Sequence, residues 1–591
     1  MCGIFGYFDQ NNKRIPEDTL GKMGQAIKHR GPDGHGYYHD DYQAVALGNQ
    51  RLAILDIEHG QQPFISEDNN IIVVQNGEIF NHIELAQALA SDGYICHTHC
   101  DTEVILRLYE RDGIEGISKL NGMFAIAIYD RKLSALYLIR DRVGEKPLFF
   151  SKKNGRIVFS SEIKSILAVI DKTEINYQAL NNFFAFNYVP PPLTLFEGVE
   201  HVMPGHWLKI TEKAMKSFCW WDISKVKVVH KAESQWIDDF TTILSDAVKI
   251  RLRADVPLGA FLSGGVDSST IVGLMSQHLK QPINTFSVGF NDPDYDESPF
   301  AEAAAKRFST QHVLKKVEAN LIDLWPMATY HCDQPHGDVS FLPTYKVAQL
   351  ASEQVKMVLT GDGADELFAG YDKYKTFFSG DIESLNDSQF QARYTNNILL
   401  FDTEARTKLF SEGSLDKIDT LHAEDILKPL YEKAANMDRI NQALYIDTIF
   451  LLPGNNLVKP DRMGMAVSIE NRAPFLDYRM IELAFSMPGE LKIKNNETKY
   501  LYKKAVAPLI GKDLAYRKKQ MFTVPVGEWF KSELSDLCYD LLLSERTVER
   551  KLFNYDYVRY MYNCHCQNLG NFTRQIRSLL AFEIWMRIFI D

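Results

Sequence analysis

The sequence predicts an α+β layered sandwich at the N-terminal end, followed by an α/β doubly wound parallel-sheet domain with a helical C-terminal part. Three observations predict this. Short β-type runs broken by Gly, Asn and Asp crowd residues 42–162, with only two helical patterns among them. Beyond residue 236 strands alternate with helices, the rhythm of a parallel sheet. From 380 to 591 the pattern is mostly helical, with no clear strand series. A chain of 591 residues is too long for one core. Pro190, Pro191, Pro192 and Pro204 thin out regular structure ahead of a boundary placed within 205–235, giving units 1–215 and 216–591.

In the first unit, strands are read at 42–57, 70–80, 122–130, 135–141 and 156–162. Helices are read at 83–93 and 102–113, each ending at a Gly. Cys2-Gly3-Ile4-Phe5-Gly6-Tyr7 is a further strand that starts at a thiol. In the second unit a helix (236–253) leads to an apolar strand (257–265). A helix (268–280), a strand (283–290), a helix (298–308) and a strand (355–363) follow.

Apolar residues make up 45% and charged residues 24%, which excludes a disordered or fibrous chain. The formal charge of −12, with no basic run, argues against a nucleic-acid partner, because phosphate binding needs clustered cations. Eight scattered cysteines do not make a disulfide framework. No secretory signal and no run of about 18 uncharged apolar residues is found, so neither membrane nor export is expected and the expected location is cytoplasmic.

The candidate chemistry begins at Cys2. A small second residue allows Met1 to be removed, which would pair the thiol with an α-amine of pKa about 7.7–8, a built-in base. Three segments read as parts of the same site: the turn-rich His29-Arg30-Gly31-Pro32-Asp33-Gly34, then Gln75-Asn76-Gly77-Glu78, then Asp101-Thr102-Glu103. Asn76 with a glycine N–H suits an oxyanion hole. Singly, Asn-Gly is also a hairpin signal and Asp101 an N-cap. Cys96-His97-Thr98-His99-Cys100 offers four ligand atoms. On a strand its cysteines and histidines face opposite ways, so no metal is expected there.

MCGIFGYF, HRGPDG, NQRLAILD, QNGEIFNH, DTEVI, LNGMFAIAIYD, RDRVGEKPLFF and SSEIKSI, in that order, resemble a class II glutamine amidotransferase domain, an N-terminal-nucleophile (Ntn) hydrolase with an αββα sandwich. The resemblance implies that Cys2 attacks the glutamine side-chain amide and releases ammonia. It further implies that Arg51 binds the substrate carboxylate, Asn76 and Gly77 stabilise the oxyanion, and Glu78 and Asp101 bind the substrate amine.

The second signal is Leu262-Ser263-Gly264-Gly265-Val266-Asp267-Ser268-Ser269, which follows a strand and opens a helix. Its glycines let backbone N–H groups approach an oxyanion at the positive end of a helix dipole, and Ser263, Ser268 and Ser269 add hydroxyl donors. Asp267 would repel a phosphate unless a metal lay between them, so it reads as a Mg²⁺ ligand. Neither a Walker A loop nor G-x-G-x-x-G is present. The loop resembles the PP-loop of ATP pyrophosphatases, which transfer AMP from ATP and release pyrophosphate. On that reading Val288 lies where backbone groups read adenine, Gly361 and Asp362 belong to the ATP site, and Asp365 is a second Mg²⁺ ligand. Carboxylates at the carboxyl edge of a parallel sheet fit this placement.

Lys459-Pro460-Asp461-Arg462-Met463 and Glu470-Asn471-Arg472-Ala473-Pro474-Phe475-Leu476-Asp477 resemble the glutamine-hydrolysing asparagine synthetase family, which carries these two domains in this order. Arg462 aligns best with that family's catalytic lysine, with Lys459 as the neighbouring candidate. The implied reaction makes ammonia at Cys2 and delivers it inside the protein to an acyl-adenylate. ATP and Mg²⁺ are the expected cofactors, glutamine and a carboxylate acceptor (aspartate) the expected partners, and a homodimer stays open. Intact Cys2, Arg51 and Asn76-Gly77-Glu78 oppose the β-lactam-forming branch. Asp362, Asn471, Ala473 and Met521 depart from the usual pattern where acceptor choice is decided, which keeps a sugar uronic acid as the alternative.

Overall fold

The computed structural model describes residues 1–591 except 1, 14, 15, 17, 41, 292–295, 318, 383 and 519–525. Met521 therefore lies outside the described residues. Two six-stranded antiparallel sheets form the N-terminal part. In the first, Cys2–Asp9 sits between Arg156–Ser160 and Val45–Arg51. The second includes Ile71–Ile79, Gly122–Asp130 and Ala135–Arg140. Side chains alternate along the first strand. Ile4 and Phe8 face Val74, Ala125, Ala127 and Leu138 between the sheets. Phe5 and Tyr7 face outward onto Leu20, Met23, Ile163 and Ile166 of the covering helices. On the far side, Leu89, Val104, Ile105 and Leu108 cover Val73, Phe124, Ile126 and Ile139. Helix, sheet, sheet and helix are thus stacked in four layers, and Cys2 shares the inter-sheet face with Ile4. The second sheet continues to Met215–Cys219, past the expected boundary at 215.

The second part is built on a five-stranded, all-parallel sheet in the order Gln311–Val317, Asn284–Phe290, Leu258–Phe261, Met357–Leu359, Glu470–Arg472. Strand order reverses between Leu258–Phe261 and Met357–Leu359, so the loops after these two strands open at the topological switch point where such sheets bind ligands. Helices Glu233–Arg251 and Val266–His278 pack on this sheet. No helix among the described residues is long and apolar enough to cross a membrane.

Candidate active sites

Cys2 stands directly opposite Arg51 in the strand register and is 5% exposed. Its backbone nitrogen donates to Asn76 Oδ1 at 3.2 Å, and Asn76 Nδ2 donates to Ser161 Oγ at 3.3 Å. Gln62 Nε2 lies 4.0 Å from the Cys2 sulfur. Burial pushes the thiol up, opposed by the Leu52 amide, Asn49 and Arg51. Next to Asn76, Gly77 has φ +148°, and a Cβ there would lie 2.0 Å from the Met123 carbonyl oxygen. Only glycine lets the two strands approach this closely.

The other expected glutamine-binding residues converge on the same end of the sandwich. The Asp101 carboxylate accepts from the Ile79 amide at 2.8 Å and from Gln75 Nε2 at 3.0 Å. Burial raises the Glu78 carboxyl well above its ordinary range, and Asp101 and Glu470 add to the rise. Arg51 turns its guanidinium onto the carbonyls of Leu55, Asp56 and Ile57 at 3.1, 2.7 and 2.9 Å. The loop it braces supplies Asp56 Oδ2 to the His99 amide at 2.8 Å. Segment 94–100 is a loop wrapped around Glu103, so the strand on which the geometric exclusion of a metal rested is not there.

Sequence reading missed that the second part closes this site. Arg472 Nη2 lies 3.5 Å from Glu78, and its Nε donates to Glu470 at 2.5 Å. The strand carrying both is only three residues long and polar, so no strand pattern announces it.

Arg30 joins the two parts. It is fully buried, donates Nε to the Cys2 carbonyl at 3.2 Å, and pairs with Glu162 at 2.8 Å and with Asp461 at 2.8 and 3.1 Å. Burial alone would raise Glu162, but Lys164, His29 and Arg462 hold it well below the usual carboxylate range. Removing one partner of a buried pair leaves an uncompensated charge. Asp461→Asn is therefore expected to cost about 3–5 kcal/mol of stability by chemical denaturation. A loss under about 1 kcal/mol, the worth of an exposed pair, would show that the network is not held as described.

Arg462 was expected to face ATP phosphates. The structure places it elsewhere: its guanidinium is buried against Glu162 at 2.9 Å and Asp333 at 3.4 Å, because helix Val458–Met465 presents it to the N-terminal part. Lys459, the neighbouring candidate, pairs with Asp338 at 2.7 Å and Ser340 Oγ at 3.1 Å.

The cation at the PP-loop is Lys499. Its ammonium lies 2.6 Å from Asp267 and 2.6 Å from Asp365, and the residue is 3% exposed. Ser263 and Ser268 hold the loop shape: the Ser263 amide donates to Ser268 Oγ at 3.2 Å, and Gly265 N donates to Ser263 Oγ at 3.3 Å. Gly264 has φ +70°, and a Cβ there would strike the Phe300 backbone at 2.3 Å. Leu262 donates its amide to Phe286 O at 3.0 Å. Ser269 is buried in the first turn of the helix, and Val288 lies buried in the adjacent strand. Gly361 brings the third loop against Asp267, where a Cβ would approach within 2.7 Å. In that loop Asp362 accepts from Thr360 Oγ1 at 2.7 Å, and burial raises its carboxyl. Asp267 and Asp365 converge on a single point, which the Lys499 ammonium occupies; their oxygens are the hard donors that Mg²⁺ takes, but no cluster of three or more metal-ligating side chains stands among the described residues.

Known proteins agree with this layout. The asparagine synthase family model matches residues 239–587, and the glutamine amidotransferase domain model matches 1–221. "Asparagine synthetase [glutamine-hydrolyzing] 1" of Bacillus subtilis (strain 168) is 33% identical, across 100% of this chain and 97% of its own. "Putative asparagine synthetase [glutamine-hydrolyzing]" of Mycobacterium tuberculosis (strain ATCC 25618 / H37Rv) is 30% identical, across 100% and 98%. "Putative asparagine synthetase [glutamine-hydrolyzing] 2" of Methanocaldococcus jannaschii is 38% identical, across 63% and 76%. With an antiparallel two-sheet sandwich ahead of a parallel-sheet part, and both family models matched in that order, this chain belongs to the asparagine synthase family and carries an N-terminal glutamine amidotransferase domain.

Proposed function

We propose that the protein is a glutamine-dependent asparagine synthetase, with residues 1–215 the glutaminase and 216–591 the ATP-dependent synthetase. In the first, the α-amine of processed Cys2 takes the thiol proton, and the thiolate attacks the glutamine amide carbon. Asn76 and the Gly77 N–H hold the oxyanion, Arg51 and its braced loop take the α-carboxylate, and Glu78 and Asp101 take the α-amine. Ammonia leaves, and water releases glutamate from the thioester.

In the second, the loop from Leu262 to Ser269 cradles ATP, together with Val288, Gly361 and Asp362. Lys499 neutralises charge that develops on the phosphates when the aspartate side-chain carboxylate attacks the α-phosphorus and pyrophosphate departs. Asp267 and Asp365 would hold Mg²⁺. When bound, the ion neutralises the phosphate oxygens and lowers the cost of that charge. Ammonia then attacks the acyl carbon and AMP leaves, giving asparagine.

The observation that carries this reading is the buried chain from the Cys2 carbonyl through Arg30 to Asp461, which fastens a nucleophile site to the helix beside an adenylation loop. The test is pyrophosphate release with ATP, Mg²⁺ and glutamine, with and without L-aspartate. Aspartate-dependent pyrophosphate with matching asparagine is expected. Glutamate formation without that dependence would move the acceptor to another carboxylate.

A further inference from the structure

Helices Phe341–Ser352 and Val458–Met465 each run back toward the strand that follows them, Met357–Leu359 and Glu470–Arg472, so their first residues lie at the carboxyl edge of the parallel sheet. The loop from Leu262 to Ser269 opens on this same edge. Lys459, in the first turn of the second helix, donates to Asp338 at 2.7 Å and to Ser340 Oγ at 3.1 Å, just ahead of the first helix. It also stands close enough to Asp362 to oppose the rise of that carboxyl, so the cluster adjoins the third loop. The C-terminal helix Thr573–Phe589 is fastened to the same corner: Trp585 Nε1 donates to the Asp333 carbonyl at 2.8 Å, and Phe589 stacks on Tyr330. Its Arg574 and Arg577, three residues apart and so on one face, both feel the charge of Asp338.

Three cations therefore share one carboxylate, and Asp338 is already engaged, Oδ2 by Lys459 and Oδ1 by the Ser340 amide at 3.0 Å. His336 beside it adds no charge at pH 7, because burial and Lys459 push it down to about 4. Neither arginine makes a hydrogen bond or an ion pair among the described residues; Arg574 is exposed, while Arg577 Nε is sealed from solvent. Burial lowers the Arg577 guanidinium, Asp338 opposes the fall and Arg574 adds to it. A desolvated guanidinium left without an acceptor is costly, so the pair implies an anion. On the reading above Lys499 meets the phosphates of ATP, which leaves the acceptor as the anion still without a cation.

We propose that Arg577, with Arg574 at the mouth of the site, binds a second anionic group of the acceptor, the α-carboxylate of aspartate. This rests on the amidation reading above and names the residues that select its acceptor. The side-chain carboxylate of aspartate is consumed in the reaction, whereas its α-carboxylate stays charged and matches the fork of guanidinium donors. A uronic-acid sugar whose single carboxylate is activated would leave Arg577 without a partner.

The test uses the full-length enzyme with ATP, Mg²⁺ and ammonium, reading pyrophosphate release against the concentration of L-aspartate and of 3-aminopropanoate. The second compound keeps the reacting carboxylate and the amine but lacks the α-carboxylate. Arg577→Met removes the charge at similar length and is expected to raise the KM for aspartate about 10- to 100-fold, the effect of lost hydrogen bonds to a charged group, while the KM for ATP holds. The wild type should favour aspartate over 3-aminopropanoate in kcat/KM, and Arg577→Met should shrink that preference by the same factor, which a merely structural role would not do. Thermal unfolding confirms that the variant is folded. An unchanged KM for aspartate, a preference that survives in Arg577→Met, or an equal rise in the KM for ATP overturns the proposal. A wild-type enzyme without aspartate-dependent pyrophosphate overturns the aspartate reading and this site with it, so the wild-type control tells the two failures apart.

Discussion

Cys2→Ala is expected to lower glutamine-supported synthesis by about a thousandfold or more while leaving ammonium-supported synthesis intact. The proposed nucleophile lies at the end of a strand whose next residues are core, so its loss removes chemistry with little packing cost. Cys2 is the register partner of Arg51, and its nitrogen is fixed by Asn76, so no neighbouring thiol is positioned to substitute. Cys100, the other buried cysteine of this part, lies against Asp101, and burial with that carboxylate raises its thiol well above its ordinary range. Glutamate release with glutamine measures the first arm, and pyrophosphate and asparagine formation with ammonium measure the second. Normal glutamine hydrolysis by the alanine variant would contradict the assignment.

Lys499→Met should lower pyrophosphate release by about 10²–10³ with glutamine and with ammonium alike, because a positioned charge facing developing phosphate charge acts only in the adenylation step. The variant also leaves Asp267 and Asp365 facing each other without their shared ammonium. Arg462→Leu is the matched control. Its guanidinium is tied to Glu162 and Asp333, so it should destabilise the junction between the two parts before it alters adenylation. If Arg462→Leu abolished pyrophosphate release from a folded protein while Lys499→Met did not, the placement of the phosphate-facing cation would be reversed.

These two residues also mark where sequence reading succeeds and stops. Cys2 and the loop from Ser263 to Ser269 are contiguous motifs whose chemistry is set by neighbours within a few positions, so they are legible one residue at a time. Lys499 meets Asp267 only through tertiary approach across a separation of 232 residues, and nothing near it in the chain announces a site. Arg462 shows the converse. It lies in a recognisable segment, yet a helix has two faces, and this one turns the guanidinium toward Glu162. The same limit applies to strands. Asn284–Phe290 is a buried run rich in Phe, Val and Thr and is read directly. Gln311–Val317 carries exposed polar residues at the sheet edge, and Glu470–Arg472 is too short and polar to show alternation. The α+β sandwich was readable because both its sheets bury one face against the other and one under helices, which forces long apolar runs such as 122–130, whereas its four layers were implied only by the resemblance.

The central claim is that nitrogen released at Cys2 reaches the activated carboxylate inside the protein. Glutamine labelled with ¹⁵N at the amide, mixed with an excess of unlabelled ammonium, ATP, Mg²⁺ and aspartate, tests it in one tube by mass spectrometry of the product amide. Amide nitrogen enriched far above the isotopic ratio of the bulk ammonium is the predicted result. Product that matches the bulk ratio would mean that ammonia escapes to solvent before it is used, and would contradict the account.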